Sequence, residues 1–380
     1  METYKGAMQR RVSTCRGAYH YLRFSKQVTK SFQNCLTLTY FSNKSLSYPF
    51  SGKQIKEYET IKIEKPTFTS AVLNESGNYY LRSGWEKTDS IIHFFCGSLG
   101  SGHGHSSLLH FDFAYGNEDI FVDSGRYTYT ECKERYQLKS TALHNSIMID
   151  NIDYFTVKDS WAYEKKGTFI KSNYIEKGPY KYINGFNTSY LAINGSLIER
   201  KILSLNKDLF IIFDVITTKS KHKINRYFHF DNNANLVIEN NNIIKYIKEK
   251  LNVYVYFERD CIIKEETSLY SKHYNKLETK PSLNIENNIE GNTSFITVVN
   301  VNNSKIEIKE EKVKSMRFDT LFKKEDIRAF TINDEKNGSY EVLFTLNQCH
   351  EGVDLFKANK LCGFGKTLVF HNNKLTKIEL

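Results

Sequence analysis

Histidines and an aspartate of types that suit metal binding or proton transfer stand close together in one stretch of this chain. The run Gly-His-Gly-His at residues 102–105 supplies His103 and His105, and Asp123 and His144 follow. On a strand, His103 and His105 would share one face, because side chains two positions apart point the same way. Imidazoles and carboxylates ligate zinc and also exchange protons. The cluster predicts a metal or acid–base site; the competing interpretation is a glycine-rich loop with ordinary hydrogen-bonding histidines.

Three tyrosines between the aspartate and the last histidine are candidate catalytic groups. Tyr127 and Tyr129 are predicted to share a strand face, whereas Tyr136 falls in a helical or loop segment. A tyrosine hydroxyl suits acid–base work when its pKa is tuned by its surroundings. The competing role for each of the three is packing.

Arg126, Arg135 and Asn145 are candidate substrate-binding residues. The planar guanidinium group of an arginine binds a carboxylate through two parallel hydrogen bonds, although surface ion pairing is its commoner use. Asn145 is adjacent to His144, so it would either orient that histidine or contact a sugar. The sequence leaves these roles open.

The composition is that of a soluble globular protein with a basic surface. The 380 residues carry 53 Lys and Arg against 43 Asp and Glu, a net charge of +10, with 40% hydrophobic and 14% aromatic residues. A basic surface attracts anionic polymers such as polyuronates or sulfated glycans. The alternative is a codon bias that enriches Lys, Asn and Ile. No RNP motif, zinc finger or dense basic helix is present, so nucleic acid is not an expected partner.

Cysteine usage and the N-terminus bear on the compartment. Seven cysteines without a Cys-x-x-Cys pair predict scattered, reduced thiols rather than a disulfide framework. The N-terminus lacks the apolar stretch of an export signal, and no apolar run approaches the length of a membrane span. The sequence therefore predicts neither a signal peptide nor a transmembrane segment.

The hydrophobic pattern predicts two regions. Residues 5–36 show helical periodicity, and residues 42–68 show none and are interpreted as a linker. From about residue 70, short apolar or alternating runs are separated by turns rich in Asn and Gly, at residues 206–208, 240–242, 337–338 and 372–373. We therefore expect a helical segment and linker at residues 1–65 and a mainly β domain at residues 66–380, a large antiparallel β-sandwich.

Several motifs, in this order, resemble the C-terminal half of the heparinase II/III-like polysaccharide lyases, which include oligoalginate lyases. They are Tyr-Tyr-Leu-Arg-Ser-Gly-Trp at residues 79–85, the Gly-His-Gly-His run, Val-Asp-Ser-Gly-Arg-Tyr-Thr-Tyr at residues 122–129 and Ser-Thr-Ala-Leu-His-Asn at residues 140–145. A weaker likeness returns at residues 200–214 and 226–230. Ser107 and Ser124 depart from the residues that relatives often carry, Asp and Pro respectively.

The resemblance implies roles for the candidate residues. His103 matches the histidine that faces the substrate, as an acid–base group or a neutraliser of the uronate carboxylate. His105, Asp123 and His144 match the residues that hold a structural zinc ion. Relatives also use a tyrosine in this region.

The resemblance also implies a larger architecture. In relatives an (α/α) toroid precedes the sandwich and supplies further active-site groups, so the predicted N-terminal helical segment would be a remnant of a toroid. The expectation is that this chain is a fragment, one part of a split enzyme or a degenerate relative, with little activity alone. Its expected partners are an acidic polysaccharide or oligosaccharide and either a toroid-bearing chain or a second copy. Such lyases are often periplasmic or secreted.

Three functions compete at this stage. The first is a lyase, or the sandwich part of one, that cleaves an anionic uronate-containing glycan such as a glycosaminoglycan or alginate. The second is a non-catalytic carbohydrate-binding or assembly module derived from such a lyase. The third is a zinc hydrolase, for which no His-Glu-x-x-His or other hydrolase motif is found.

Overall fold

The computed structural model describes residues 66–99, 104–116, 118–165, 167–301, 306–346 and 355–380. The helix predicted at residues 5–36, the first predicted domain at residues 1–65 and His103 lie outside the described residues. The described residues are mostly antiparallel β-strand, which confirms the mainly β class and the sandwich expected from the sequence.

The strands of the described residues are numbered in chain order. The first group is β1 (Ala71–Leu73), β2 (Asn78–Arg82), β3 (Ser90–Phe95), β4 (His110–Tyr115), β5 (Glu118–Phe121), β6 (Ile147–Ile149), β7 (Thr156–Val157), β8 (Tyr163–Lys165), β9 (Phe169–Lys177) and β10 (Tyr180–Asn187). The second is β11 (Leu197–Ser204), β12 (Leu209–Thr217), β13 (Lys221–His229), β14 (Asn235–Asn240), β15 (Ile243–Lys248), β16 (Leu251–Tyr256), β17 (Ile262–Tyr270), β18 (Glu278–Glu290) and β19 (Thr293–Asn300). The third is β20 (Ile306–Glu311), β21 (Lys314–Ser315), β22 (Ile327–Asp334), β23 (Gly338–Thr345), β24 (Phe356–Ala358), β25 (Leu361–Gly363), β26 (Thr367–His371) and β27 (Lys374–Glu379).

The strands of the described residues pair into several sheets, each with its own strand order. An eight-stranded sheet has the order β14-β15-β16-β19-β12-β11-β10-β9. A five-stranded sheet, β1-β2-β3-β4-β5, and a four-stranded sheet, β17-β18-β13-β6, belong to the N-terminal part. The C-terminal part forms the five-stranded sheet β20-β22-β23-β26-β27, and β21-β24-β25 and β7-β8 are small sheets.

The eight-stranded sheet is the middle layer of the molecule. On β12, Phe210 and Ile212 pack in one core with the two N-terminal sheets, while Ile211 and Phe213 pack in a second core with the C-terminal five-stranded sheet. Successive side chains of a strand point to opposite faces, so a strand covered on both sides must be apolar at nearly every position. This explains why residues 209–216 form an almost continuous hydrophobic run.

Asparagine-rich turns close the hairpins where the sequence predicts them. All four predicted turns connect consecutive antiparallel strands: β11 to β12, β14 to β15, β22 to β23 and β26 to β27. In the last of these, Asn372 and Asn373 have φ of 49° and 58°, the left-handed region that asparagine tolerates better than most residues.

Two short helices occur in the described residues; the first contains Tyr136, for which the sequence predicts a helical or loop segment, and the second was not predicted. They are α1 (Lys133–Lys139) and α2 (Ser189–Asn194), and each is too short to show several turns of helical periodicity. No helix in the described part of the chain is long and apolar enough to cross a membrane.

A buried ion pair lies within the middle layer. Arg200 of β11 and Asp214 of β12 are cross-strand partners and fully buried, with Nε to Oδ1 at 2.6 Å and NH2 to Oδ2 at 3.0 Å. The remaining guanidinium nitrogen, NH1, donates to the carbonyl oxygens of Leu109 at 2.9 Å and Asn145 at 2.7 Å. Arg200 therefore joins the middle sheet to the residue before His110 and to the residue after His144.

We expect Asp214→Asn to lower the free energy of unfolding by about 3–5 kcal/mol, because it leaves the buried Arg200 without its counter-ion. Urea denaturation measures this loss. Glu290→Gln is the matched control, since Glu290 and Lys221 form an ion pair whose side chains are 73% and 77% exposed; its effect should stay within about 0.5 kcal/mol. Equal losses in the two variants would contradict the role given to the buried pair.

Candidate metal centre and active site

The structure brings His105, Asp123 and His144 together. Each offers one ligand atom, and these atoms all lie within 4.8 Å of one another. His105 lies in the loop before β4, Asp123 lies two residues after β5, and His144 follows a short 3₁₀ turn, Thr141–Leu143. Both histidines are buried, and the aspartate side chain is 18% exposed. The donor set is therefore largely shielded from water.

The sequence predicts a strand for the His-x-His pair. His105, the one of the two that the structure describes, lies in a loop, so the prediction is wrong for this residue. Ser107 N–H binds the carbonyl oxygen of His105 at 2.8 Å, which turns the chain too tightly for a strand. At Gly104 a Cβ would lie 2.0 Å from the carbonyl oxygen of Leu99. Only glycine allows this close approach of two backbone segments.

Asp153 joins the segment that carries His105 to the segment that carries His144. Its carboxylate accepts hydrogen bonds from Ser106 Oγ at 2.5 Å and from Thr141 N and Oγ1 at 2.7 and 2.9 Å. Burial raises the pKa of this carboxyl and outweighs the opposing effect of these hydrogen bonds. The segments that carry the two histidines are thus joined through one partly buried carboxylate.

The aspartate of the cluster is fixed by two contacts. His144 Nδ1 lies 2.9 Å from Asp123 Oδ2, and Gly125 N–H donates to Asp123 Oδ1 at 2.8 Å. The rings of His105 and His144 are 5.4 Å apart. The cluster is ordered by its own loops, as a metal site or an acid–base site requires.

A second layer of polar groups lies behind Asp123, and sequence reasoning missed it. His110 Nε2 lies 3.0 Å from Asp112 Oδ1 and 3.6 Å from Asp123 Oδ2. His93 Nδ1 lies 2.9 Å from Asp112 Oδ2, and its Nε2 lies 2.9 Å from Asn78 Oδ1. These residues form a largely buried chain of hydrogen bonds that ends beside Asp123, the aspartate of the candidate metal site.

The signal for this layer was present but weak. His93, His110 and Asp112 sit on β3 and β4 among aromatic and aliphatic residues, where a polar side chain needs a buried partner. His93 and Asp112 are directly opposite each other in the register of the two strands. Pairing of that kind becomes visible only when the register is known.

Asp112 has a lowered pKa. Burial by itself raises the pKa of this carboxyl, but the charge of His110 and the hydrogen bonds from His110 and His93 outweigh burial and hold the pKa below its ordinary value. Asp112 therefore stays ionised at neutral pH and keeps two imidazoles oriented.

Asn145 binds backbone groups rather than facing solvent. It is fully buried; its amide nitrogen donates to the carbonyl oxygens of Phe111 and Val122 at 2.8 and 3.3 Å, and its Oδ1 accepts the N–H of His229 at 2.6 Å. Its own N–H donates to His110 Nδ1 at 2.9 Å. The predicted sugar contact does not fit this burial. Asn145 instead positions two strands, β4 and β13, the residue that follows β5 and one imidazole.

Arg135, predicted to bind substrate, is also fully buried. It lies on α1, and its NH1 donates to His105 Nε2 at 2.9 Å. The guanidinium carbon is 5.6 Å from the ring centre of Tyr129, so Arg135 lies between the buried cluster and that ring. A contact with substrate would require this arginine to become accessible. In the structure it orients His105.

Tyr127 has an unusual backbone. Its φ is 61°, and Thr128 N–H binds the carbonyl oxygen of Arg126 at 2.8 Å, closing a three-residue turn of the strained kind around it. At the neighbouring Gly125, φ is 78°, and a Cβ would lie 2.1 Å from the carbonyl oxygen of Ser271. Residues 122–132 therefore form a loop, and the predicted shared strand face of Tyr127 and Tyr129 is wrong.

Arg126 and Tyr129 lie together at the surface. Arg126 is exposed, its guanidinium carbon is 4.6 Å from the ring centre of Tyr129, and NH1 donates to the Tyr129 hydroxyl. A cation over an aromatic face is electrostatically favourable. Arg126 can therefore meet an anionic ligand, whereas Arg135 is enclosed.

Tyr136, on α1, donates its hydroxyl hydrogen to Glu131. That hydrogen bond raises the pKa of Tyr136 to about 12. The hydroxyl therefore stays protonated at neutral pH, and it is already engaged with a carboxylate.

Comparison with known proteins identifies the family of the chain. The family model described as heparinase II/III-like, C-terminal, matches residues 65–311, which include all ten candidate residues. The chain belongs to the heparinase II/III-like family. No curated protein sequence matches the chain.

Solved structures share the fold of this family member. A heparan sulfate lyase, HepC from Pedobacter heparinus, superposes with a TM-score of 0.63 at 18% identity, over 85% of this chain and 48% of that one. A structure described as heparinase III gives a TM-score of 0.61 at 20% identity, over 83% of this chain and 49% of that one. The chain thus spans about half the length of the solved structures it matches.

We expect Asp112→Asn to destabilise the protein at neutral pH and to flatten the acid side of its stability profile. A carboxyl whose folded pKa is lowered contributes stability above its unfolded pKa of about 4, and this contribution is lost as the pH falls towards the folded pKa. Urea denaturation between about pH 2.5 and 7 measures both effects.

The control for this experiment is Asp319→Asn, a change to a carboxylate that is 80% exposed. Its unfolding free energy should follow that of the unmodified protein at each pH. A profile for Asp112→Asn that runs parallel to the wild-type profile would show that the buried hydrogen-bond chain does not hold Asp112 ionised.

Proposed function

We propose that this chain forms the sandwich part of a polysaccharide lyase that cleaves an acidic, uronate-containing glycan by β-elimination. Family membership and the likeness to heparan sulfate lyases support a lyase-related domain. The observation that carries the proposal is the convergence of the His105, Asp123 and His144 cluster with loop tyrosines and arginines at one place.

The reaction needs three groups. A base removes the proton at C5 of the uronate, the electron pair forms the C4–C5 double bond, and the C4–O bond breaks as an acid protonates the leaving oxygen. The C5 proton is removable only when the adjacent carboxylate is neutralised by a positive or hydrogen-bonding group. By resemblance, His103 supplies acid–base or neutralising chemistry, and the exposed Arg126 is suited to hold a carboxylate or sulfate.

Among the three candidate tyrosines, we assign the acid–base hydroxyl to Tyr127. Its strained turn is the kind of backbone feature that clusters at active sites. Tyr136 donates its hydroxyl hydrogen to Glu131, and the Tyr129 hydroxyl accepts a hydrogen bond from Arg126. Tyr127 is half-buried within the motif that resembles the family.

A zinc ion would be held by His105, Asp123 and His144. Two imidazoles and a carboxylate are ordinary zinc ligands, and their buried, preorganised positions fit such an ion. When bound, the ion would link the three loops that carry these residues, without taking part in the elimination. Arg135 donates a hydrogen bond to His105 Nε2, and the lone pair of one nitrogen cannot accept a hydrogen bond and bind a metal ion at the same time. Binding through Nε2 would therefore require Arg135 to move.

We expect purified protein to contain about one zinc per chain and His105→Ala to contain almost none, as measured by elemental analysis. Metal binding is coupled to folding, so the variant should also lose several kcal/mol of stability in the presence of zinc. The matched control is His222→Ala, which removes a histidine that pairs with Asp150 outside the cluster. Negligible zinc in both the wild type and His105→Ala would refute the metal site.

We expect His103→Ala and Tyr127→Phe each to lower the rate of elimination about 10²–10⁴-fold, because each removes a proton-transfer group. The unsaturated product absorbs in the ultraviolet, so absorbance during incubation with alginate, glucuronan or heparan sulfate oligosaccharides measures the rate. Zinc content should stay that of the wild type in both variants.

Matched tyrosine changes sharpen this test. Tyr129→Phe and Tyr136→Phe remove the other candidate hydroxyls, and each should cost less than Tyr127→Phe. Tyr254→Phe is a control in the core on the far side of the middle sheet. If Tyr136→Phe is the most damaging change, the acid–base role belongs to that residue. Release of reducing ends without absorbance would favour a hydrolase.

A further inference from the structure

Three loops meet beside the candidate site and present aromatic rings to solvent. Tyr129 comes from the loop after β5, Trp161 from the turn between β7 and β8, and Tyr274 from the turn between β17 and β18. The rings of Tyr129 and Trp161 stack with centroids 4.8 Å apart and planes at 16°, and Tyr274 lies 6.0 Å from Tyr129. Trp161 and Tyr274 are 50% and 53% exposed. We call these three rings the aromatic platform.

The turn that carries Trp161 is held in place from below. Asp159 Oδ1 accepts the N–H of Trp161 at 2.7 Å and that of Ala162 at 2.6 Å. The fully buried Lys139 donates to the carbonyl oxygen of Ser160 at 3.0 Å. The indole is therefore positioned by backbone contacts while its ring remains half exposed, which is an arrangement preorganised for a ligand.

The turn that carries Tyr274 is fastened to the strained loop. Ser271 N–H donates to the carbonyl oxygen of Ser124 at 2.9 Å, and Asn275 N–H donates to that of Tyr127 at 2.8 Å. Two loops distant in sequence are thus joined backbone to backbone. The spacing of the platform rings is set by these bonds rather than by the rings alone.

An exposed arginine lies beside the platform. The Arg126 guanidinium carbon lies 4.6 Å from the ring centre of Tyr129 and 5.7 Å from that of Tyr274. The nearby carboxylates are already engaged: Glu131 accepts from Tyr136 and from Ser160 N–H, and Asp159 accepts backbone N–H groups. An anionic ligand would therefore meet an exposed arginine.

The platform is continuous with the candidate metal centre. Arg135 lies between them, with its guanidinium carbon 5.6 Å from the Tyr129 ring centre and its NH1 2.9 Å from His105 Nε2. A chain ligand with one unit at Tyr127, which adjoins Arg126 and is bonded to the turn that carries Tyr274, would have a neighbouring unit at the platform. Binding sites commonly combine aromatic surface with a few oriented polar groups in this way.

We propose that Tyr129, Trp161 and Tyr274 together with Arg126 form a subsite that binds one acidic sugar unit of the glycan chain. The apolar C–H face of the pyranose ring packs on the exposed indole, and its carboxylate or sulfate pairs with the Arg126 guanidinium. The choice of ligand rests on the proposed function, since the same glycan would cross both places. The subsite contributes binding and orientation, and the chemistry occurs elsewhere.

The test separates binding from elimination. Isothermal titration calorimetry of the full chain with alginate, glucuronan and heparan sulfate oligosaccharides gives Kd, and ultraviolet absorbance gives turnover. Trp161→Ala and Tyr274→Ala, on two different loops, should each weaken binding about tenfold or more, with KM rising in parallel. Arg126→Ala should weaken binding of the acidic oligosaccharides but leave binding of carboxyl-reduced, unsulfated glucuronan unchanged. Trp85→Phe, which changes a tryptophan packed near Phe68 and Arg82, should leave Kd unchanged.

Each outcome decides one of the two proposals. Binding that depends on Trp161 and Tyr274 without any absorbance from the wild type, either alone or with a toroid-bearing chain added, would support the subsite and refute the lyase. Elimination with unchanged Kd and KM in both variants would support the lyase and overturn the subsite. Absence of binding to all three acidic oligosaccharides by the folded wild-type chain would also overturn it. Circular dichroism of each variant confirms that its sandwich is folded.

Discussion

The buried pair of Arg200 and Asp214 is the interaction on which the rest of the candidate site depends. Asp214 neutralises a guanidinium that would otherwise be too costly to bury, and Arg200 then uses its remaining nitrogen to hold the carbonyl oxygens of Leu109 and Asn145. Those two residues adjoin His110 and His144. The middle sheet therefore supports two histidine-bearing segments that share no strand pairing in the described residues and that Asn145 also joins directly.

From the core outwards the site has two carboxylates and then a guanidinium group, with an imidazole between each neighbouring pair. Asp112 and Asp123 lie on either side of His110, and His105 separates Asp123 from Arg135. A bound cation would strengthen the attraction of the carboxylates and oppose the guanidinium at the same time. If a metal ion bound through Nε2 of His105, it would compete with Arg135 for that nitrogen, and the position of α1 would depend on occupancy of the site.

Much of the fold was predictable because strand periodicity and turn chemistry are local properties. Hairpins are predicted by the apolar runs at residues 209–216 and 295–301 and by the asparagine turns. The family motifs identify His105, Asp123 and His144 as candidate ligands. What could not be predicted depends on contacts between distant segments. The pairing of His93 with Asp112 depends on the register of two strands. The burial of Arg135 and Asn145 depends on how the layers pack. The contact between Trp161 and Tyr129 depends on the conformations of two loops. The helix prediction for residues 5–36 stays a prediction.

The double-faced burial of β12 has a consequence for how the molecule comes apart. Its side chains alternate between two cores, so the loss of either covering sheet would expose one apolar face of a strand that both cores share. The match to the family model ends at residue 311, yet the strand that ends there, β20, pairs with β22 beyond it. The C-terminal layer is therefore coupled cooperatively to the layer that carries the histidines, and local opening on one side raises the free energy of the other.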